Sequence, residues 1–112
     1  MSKMRSRVLL VILGALLAAN VQAGNAEKGK QKAAQVCVAC HGADGNKPSA
    51  PDQPVLAGQY YDYLVRALSD YKNGRRTNPI MKGFAAQLSK QDIEDVAAWF
   101  SSQKTSPLHN QR

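Results

Sequence analysis

An all-α fold is predicted for this chain, with three main helices separated by irregular loops. Three segments have helical composition or spacing, residues 26–39, residues 59–72 and a segment that begins at residue 89, and none alternates as a strand does. Two stretches between them are predicted to be loops: residues 42–54, which are rich in glycine and proline, and residues 75–87, which are marked by Asn78-Pro79 and Gly83. No internal repeat is present, so residues 24–112 are expected to form one domain with a mobile tail at 105–112.

The first predicted helix is rich in alanine, lysine, glutamine and glutamate, which have high helix propensity. Asn25 stands where it can cap the beginning of the helix. Gly29 interrupts this run at an energetic cost, which indicates that it packs closely against another element.

The other two predicted helices have an apolar face and recognisable ends. Apolar residues recur at spacings of three and four along residues 59–72, and Asn73-Gly74 is typical of a helix end. Ser89 and Asp92 form a capping-box-like start for the last helix. The apolar face of that helix comprises Ile93, Val96, Ala97 and Phe100.

The segment most informative about function is Cys37-Val38-Ala39-Cys40-His41, because C-x-x-C-H is the attachment signature of c-type haem. Two thiols about one helical turn apart can form thioether bonds with the two vinyl groups of one haem, and the adjacent imidazole then lies under the iron. We therefore expect one haem c, bound covalently through Cys37 and Cys40, with His41 as an iron ligand.

Two other kinds of site place cysteines at this spacing. A thioredoxin-like redox site is expected near a βαβ unit, which this sequence lacks. A structural zinc site needs four ligands, usually including a second pair, whereas the only other histidine or cysteine is His109 near the C-terminus. Haem attachment is the preferred interpretation.

The first 23 residues have the layout of a secretory signal peptide. Three basic residues precede an apolar run over residues 8–19, and Val21 and Ala23 are small enough for cleavage after Ala23. An uncleaved anchor is disfavoured, because a bilayer span needs about 20 apolar residues. We expect export to the periplasm. Export agrees with haem attachment, because c-type haem is attached outside the cytoplasm.

Part of the basic charge belongs to this signal peptide. Twelve basic and eight acidic residues remain after Ala23, a net charge of +4 instead of the +7 of the whole chain. Haem propionates would lower the charge further, so no nucleic-acid partner is expected.

The chain after Ala23 is small, and a chain of this size builds only a marginal hydrophobic core. The haem is therefore expected to supply much of the apolar mass.

Met81 is the candidate for the second axial ligand, because it is the only methionine after Ala23. It lies in the predicted loop 75–87, far enough beyond His41 for the chain to wrap around a haem. A single methionine is often core filler, but this segment forms no periodic apolar face. His109 competes as a ligand, although a polar tail is poorly suited to hold iron rigidly. Met81 is preferred.

Four segments occur in a characteristic order: C-x-x-C-H, Pro54-Val55-Leu56-Ala57-Gly58-Gln59, Asn78-Pro79-Ile80-Met81, and Ala97-Ala98-Trp99-Phe100 within the last helix. This set resembles the class I cytochromes c, in particular the small bacterial mono-haem domains of the c4, c5 and c553 type. The resemblance covers nearly all of the chain after the signal peptide. It implies the class I cytochrome c fold, in which three main helices and irregular loops wrap around one covalently attached haem.

The resemblance also implies roles for individual residues. His41 and Met81 match the axial ligands, and Cys37 and Cys40 match the thioether residues.

Four further positions match the family. Pro54 corresponds to the proline whose carbonyl accepts the other N–H of the proximal histidine, a contact that fixes the ring. Leu56 corresponds to a residue that lines the haem pocket. Gly29 and Trp99 correspond to the small residue and the aromatic residue where the first helix crosses the last.

Two axial ligands predict a single-electron carrier and not an enzyme, because no iron position is left for a substrate and the redox change needs little rearrangement. Redox proteins, either soluble or membrane-bound, are the expected partners, docking transiently at the exposed haem edge. The protein is expected to be a monomer without a stable membrane anchor. The alternative is a haem-based ligand-binding or sensor protein, in which Met81 would leave the iron.

Basic residues flank the predicted haem loops. They either steer an acidic partner or form an ordinary solvated surface, and the sequence leaves both interpretations open. These residues are Lys47, Lys72, Arg75, Arg76 and Lys82.

Overall fold

The computed structural model describes residues 24–105, and this part of the chain is helical, without a strand. Its helices are α1 (Ala26–Val36), α2 (Val38–His41), α3 (Tyr61–Asn73), α4 (Pro79–Ala86) and α5 (Lys90–Ser101). The predicted all-α class is confirmed, and two short helices, α2 and α4, add to the three expected. The predicted signal peptide at 1–23, residues 106–112 and His109 lie outside the described residues.

The first predicted helix is divided at Cys37. The Cys37 N–H still bonds to the Ala33 carbonyl at 2.8 Å, but the His41 N–H bonds to the Cys37 carbonyl at 3.1 Å. Cys37 lies between α1 and α2 with φ −107° and ψ −26°. The expectation of one helix over residues 26–39 is therefore wrong, because the hydrogen-bond ladder ends at this residue and restarts.

Residues 75–87 contain a helix where a loop is predicted. The Asn78 side chain caps α4 by accepting hydrogen bonds from the backbone N–H groups of Ile80 (3.0 Å) and Met81 (3.1 Å). Pro79 is compatible with the first helical position, since an N–H there has no partner within the helix. Met81 therefore lies in the first turn of a capped helix that packs against α3, and the expectation of an irregular loop around it is wrong.

Helix α5 is the centre of the fold, because both α1 and α3 pack against it. Ile93 of its predicted apolar face is buried, and the other three residues of that face belong to the main core cluster. This cluster comprises Ala33, Leu64, Val96, Ala97 and Phe100.

The crossing of α1 and α5 is close enough to require a glycine. A β-carbon on Gly29 would overlap the backbone carbonyl of Asp95 and approach the Trp99 Cβ to 3.0 Å. The predicted meeting of Gly29 and Trp99 is thus present, although the backbone of Asp95 is the tighter neighbour. The Trp99 indole N–H donates to the Ala43 carbonyl at 3.1 Å, which ties the crossing to the loop after α2.

The predicted helix caps are confirmed. The Asn25 side chain accepts from the Lys28 N–H at 3.0 Å, and the Asn25 N–H donates to the buried Asp95 carboxylate at 2.7 Å. At α5 both bonds of the capping box between Ser89 and Asp92 are formed. The bond from Asn25 to Asp95 links the beginning of α1 to α5, so the crossing is held by a polar contact as well as by packing.

The loop between α2 and α3 is fixed to the core at Gly45. Its carbonyl accepts from the Leu56 N–H at 2.9 Å, its φ is 81°, and a β-carbon there would come within 2.8 Å of Phe100 Cδ1.

Thr105, the first residue of the predicted mobile tail, donates its hydroxyl hydrogen to the Ala57 carbonyl at 3.0 Å. Among residues 24–105 there is no helix of sufficient length and hydropathy to cross a membrane.

Candidate haem site

A cavity of about 410 Å³ lies between the α1–α2 junction, the loop before α3, and helices α3, α4 and α5. This volume is within the range of about 300–1,000 Å³ typical of small-molecule and cofactor sites. All six site residues predicted from the sequence line it: Cys37, Cys40, His41, Pro54, Leu56 and Met81.

The two cysteines are free thiols at the beginning and near the end of one turn. Burial raises the pKa of the Cys37 thiol to about 11. A thiol oxidoreductase needs the opposite change, a lowered pKa that supplies a thiolate nucleophile. The environment of Cys37 therefore disfavours redox exchange and is compatible with a pair of thiols that form thioether bonds.

The His41 imidazole is buried and fixed by the loop before α3. Its Nδ1 lies 3.0 Å from the Pro54 carbonyl oxygen, and because a carbonyl can only accept, Nδ1 carries the proton. Burial lowers the pKa of His41, and the hydrogen bond to Pro54 partly opposes this effect. The ring is therefore neutral at physiological pH, with its Nε2 lone pair available to a metal ion.

Gln53 positions the segment that carries Pro54, a role that the sequence analysis missed. The Gln53 side-chain oxygen accepts from the Ser49 N–H (2.9 Å), the Ser49 hydroxyl (2.9 Å) and the Ala50 N–H (3.1 Å). These bonds close a tight turn just before Pro54. The residue types of a Ser/Pro-rich segment indicate a turn, but they do not indicate which side chain holds it.

Met81 enters the cavity from the first turn of α4, accompanied by Ile80 and Phe84 of the same helix. Because residues three apart share a helix face, Met81 and Phe84 are presented together. The Asn78 cap fixes the backbone of this turn. The signal for it was present in the sequence, since asparagine followed by proline is typical of a helix start.

The chemistry of the lining fits a large apolar group with an iron centre. Ile80, Tyr63 and Phe84 line the cavity and are 68%, 48% and 36% exposed, so a flat apolar ligand held there would cover them. Leu56 contributes a half-buried side chain that packs against the core cluster. The remaining lining supplies one imidazole, one thioether and two thiols, which are the groups that a c-type haem needs.

The site is not a conventional cluster of metal-binding side chains. Within residues 24–105 no group of three or more histidine, cysteine, aspartate or glutamate residues could hold a metal ion. A closed structural zinc site, which uses four such ligands, has no counterpart in this part of the chain.

Three of the five flanking basic residues have partners in the structure. The Lys72 amino group donates to the Leu88 carbonyl. Arg75 pairs with Asp70 at 3.9 Å, and the Arg76 guanidinium lies 4.6 Å from the centre of the Tyr71 ring. These side chains are therefore partly oriented, and Arg76 also lines the cavity.

Comparisons with known proteins agree with this geometry. The model of the family described as "Cytochrome c" matches residues 26–104. Cytochrome c4 of Pseudomonas aeruginosa is 52% identical over 98 residues, covering 88% of this chain and 47% of the relative. A protein of Stutzerimonas stutzeri named thiosulfate dehydrogenase electron acceptor is 40% identical over 88 residues, covering 74% of this chain and 41% of the relative.

The fold agrees as well. The crystal structure of reduced recombinant cytochrome c4 from Pseudomonas stutzeri aligns with a TM-score of 0.69 at 49% identity, covering 75% of this chain and 48% of that one. The chain spans about half the length of these cytochrome c4 relatives. From the family match, the relatives and the shared fold it follows that this chain belongs to the cytochrome c family, whose cofactor is a covalently attached c-type haem.

Proposed function

We propose that this protein carries single electrons through a haem attached at Cys37 and Cys40 and ligated axially by His41 and Met81. The observation that supports the proposal most strongly is that these four side chains line one cavity. The name of the Stutzerimonas stutzeri relative, an electron acceptor, agrees with a carrier role.

Bound in this cavity, the haem supplies an Fe(II)/Fe(III) couple. His41 offers Nε2 to the iron, because its Nδ1 proton is donated to the Pro54 carbonyl. Met81 offers its thioether sulfur, and ligation by histidine and methionine raises the potential. With both His41 and Met81 holding the iron, no position would be left for a substrate, and the bound haem would exchange an electron with little rearrangement of the chain.

The partners in this proposal are redox proteins that dock transiently. Encounters of this kind use small interfaces, below about 1,200 Å² of buried surface, so that the complex forms and separates quickly. Lys82 directly follows Met81, and the Lys47 N–H bonds to the His41 carbonyl, so both residues lie beside the site where they could steer an acidic partner, although Lys47 also interacts electrostatically with Asp44. The contribution of Lys72 and Arg75 to such steering is reduced, since their side chains already hold contacts within the chain.

We further propose that residues 1–23 are a signal peptide cleaved after Ala23, so that the exported protein begins at Gly24 and works in the periplasm. The mass of the protein purified from a periplasmic extract tests this directly. The expected mass is that of the chain without residues 1–23, plus one haem. A mass that includes residues 1–23, or a chain retained in the membrane fraction, would contradict the proposed cleavage.

The ligand assignment is tested by Met81→Ala, with His109→Ala as its control. Met81→Ala should remove the weak red charge-transfer band of methionine-ligated ferric haem, lower the potential and speed cyanide binding. His109→Ala should leave all three unchanged. If His109→Ala instead removes the band, the assignment of Met81 is wrong.

The choice between carrier and sensor is tested on the wild-type holoprotein. A carrier should show a reversible one-electron titration and should bind carbon monoxide slowly in the ferrous state, because Met81 stays on the iron. Rapid and tight binding of carbon monoxide, with loss of the methionine-ligated spectrum, would favour the ligand-binding alternative.

A further inference from the structure

Arg76 is distinguished by its charge among the residues that line the cavity. The described lining contains one carboxylate, Asp52, and its only cationic side chain is Arg76, since the His41 ring is neutral. The other lining residues are apolar or neutral. A ligand with negative groups therefore has one cation to pair with inside this boundary.

The guanidinium of Arg76 is held in a defined position. It lies 4.6 Å from the centre of the Tyr71 ring, and Tyr71 also lines the cavity. The Arg76 N–H donates to the Asp70 carbonyl at 3.1 Å, which anchors the backbone just beyond α3. A guanidinium stacked on an aromatic ring keeps its edge N–H donors free, and their planar fork matches a carboxylate.

Arg76 forms no salt bridge with any acidic side chain among residues 24–105, whereas its neighbour Arg75 pairs with Asp70. Two adjacent arginines thus differ in their relation to the site. Arg75 is exposed, paired within the chain and absent from the lining. Arg76 is stacked, without a carboxylate partner in the described chain, and faces the cavity.

The haem of this family carries two propionate groups, and ionised carboxylates are costly to bury unless they are paired or solvated. Arg76 is solvent-exposed on the boundary of the cavity, where both conditions can be met. We propose that Arg76 binds a haem propionate, with Tyr71 holding the guanidinium in place, and that this pair raises the reduction potential. The potential rises because a cation beside the carboxylate offsets negative charge that would otherwise stabilise ferric iron.

This inference rests on the haem of the family and not on the electron-carrier role. A failure of that role would appear in reactions with redox partners, whereas Arg76 is tested by the isolated holoprotein. The test compares Arg76→Gln with Arg75→Gln, which removes the same charge one residue away. Equilibrium potentials are measured at mildly alkaline pH, where the propionates are ionised, together with the propionate bending modes in resonance Raman spectra.

Arg76→Gln should lower the potential and shift the propionate modes, while the red methionine band persists. Arg75→Gln should leave the modes unchanged and move the potential much less. Arg76→Lys should restore part of the potential, because it keeps the charge but loses the fork and the stacking. Equal potential shifts in the two glutamine variants, or unchanged propionate modes in Arg76→Gln, would overturn the proposal.

If Arg76→Gln loses the methionine band, the lysine variant decides between the two roles. A potential and propionate modes between those of wild type and the glutamine variant support pairing with the propionate. A lysine variant whose propionate modes and potential equal those of the glutamine variant would show that a charge at this position makes no contact with the propionate, and would overturn the proposal.

Discussion

The crossing of α1 and α5 and the packing of α4 on α3 are both contacts between helices, but they are stabilised in different ways. At the crossing, Gly29 lies against the backbone of Asp95, and α5 contributes Val96 and Ala97, which are almost completely buried. In α4 the only buried residue is Ala85, while Ile80 and Phe84 remain exposed beside the cavity.

This difference separates two regions. We call the α1–α5 crossing the frame, and we call helix α4, which borders the cavity and depends on the cofactor, the wall. The residues of the crossing are buried against each other and hydrogen-bonded within the chain, so the stability of the crossing depends mainly on the protein and less on the haem. Helix α4 depends on its Asn78 cap, on α3, and on the group that covers its apolar side chains. Regions with few buried apolar contacts open most easily. Met81, the proposed second ligand of the iron, is therefore carried by the less stable of the two regions.

The largest effect on this comparison is expected from two matched glycine substitutions. Gly29→Ala should lower the free energy of unfolding by about 1–3 kcal/mol, because its β-carbon overlaps the Asp95 carbonyl. Gly83→Ala should raise it by up to about 1 kcal/mol, because a β-carbon within α4 meets no atom within 4 Å and alanine favours a helix. Denaturation of the holoproteins, followed by far-ultraviolet circular dichroism, measures both changes.

The methionine-ligated spectrum should persist in the native state of both glycine variants, since neither residue lines the cavity. A stabilising or neutral Gly29→Ala would show that the crossing is loose. Shifts of the same sign in the two variants would remove the distinction between frame and wall.

A smaller effect is expected from the two asparagine caps. Removing an N-cap costs about 0.5–2 kcal/mol. Asn78→Ala frees the first turn of α4, which carries Met81, so the iron should open more often and cyanide should bind several-fold to about tenfold faster, since 1.4 kcal/mol corresponds to tenfold. Asn25→Ala removes the corresponding cap of α1 and should lower global stability without changing the cyanide rate.

Stopped-flow measurement of cyanide binding to the ferric proteins separates the two caps. Equal acceleration in both variants would mean that ligand access requires global unfolding. An unchanged rate in Asn78→Ala would mean that the cap does not restrain Met81.

The same contrast explains how far the sequence predicted the structure. The elements of the frame carry local signals that agree with their packing, such as the Ser89 and Asp92 capping box and the costly glycine at 29. The wall carries mixed signals. Asn78-Pro79 starts a helix, but the proline and the nearby Gly83 are also typical of loops, and packing against α3 decides between the two structures.

The site residues also divide into those with a local sequence signal and those without one. The motif and the ordered segments selected the residues that line the cavity, because their chemistry is tied to fixed spacing along the chain. Contacts of side chains that lie outside these motifs were not predictable, even where the side chain is next to a motif. Neither the turn held by Gln53 nor the stacking of Arg76 on Tyr71 has a spacing signature, because the conformation of each loop decides which nearby side chains and backbone groups meet.

The smallest expected effect concerns the start of α5, where pH acts on the frame. The Ser89 N–H donates to the Asp92 carboxylate at 2.9 Å, and this bond, followed by weaker contributions that include Lys32, lowers the Asp92 pKa below its ordinary 3.8. A carboxyl whose pKa is lower in the folded state than in the unfolded state stabilises the protein at pH values above the unfolded-state pKa. This contribution is lost as the pH falls through the folded-state pKa. Asp92→Asn should therefore reduce stability at neutral pH by up to about 1 kcal/mol, as for a lost cap.

The difference between the wild type and Asp92→Asn should shrink as the pH falls below 3.8 towards the lower folded pKa, because the wild-type carboxyl then becomes protonated as well. Denaturant midpoints measured across this range give the comparison, with Lys32→Gln as the control. That variant breaks the 3.8 Å ion pair with Asp92 but keeps the capping box, so its effect should be clearly smaller. A Lys32→Gln effect as large as that of Asp92→Asn would mean that the ion pair between α1 and α5, and not the cap, stabilises this end of the frame.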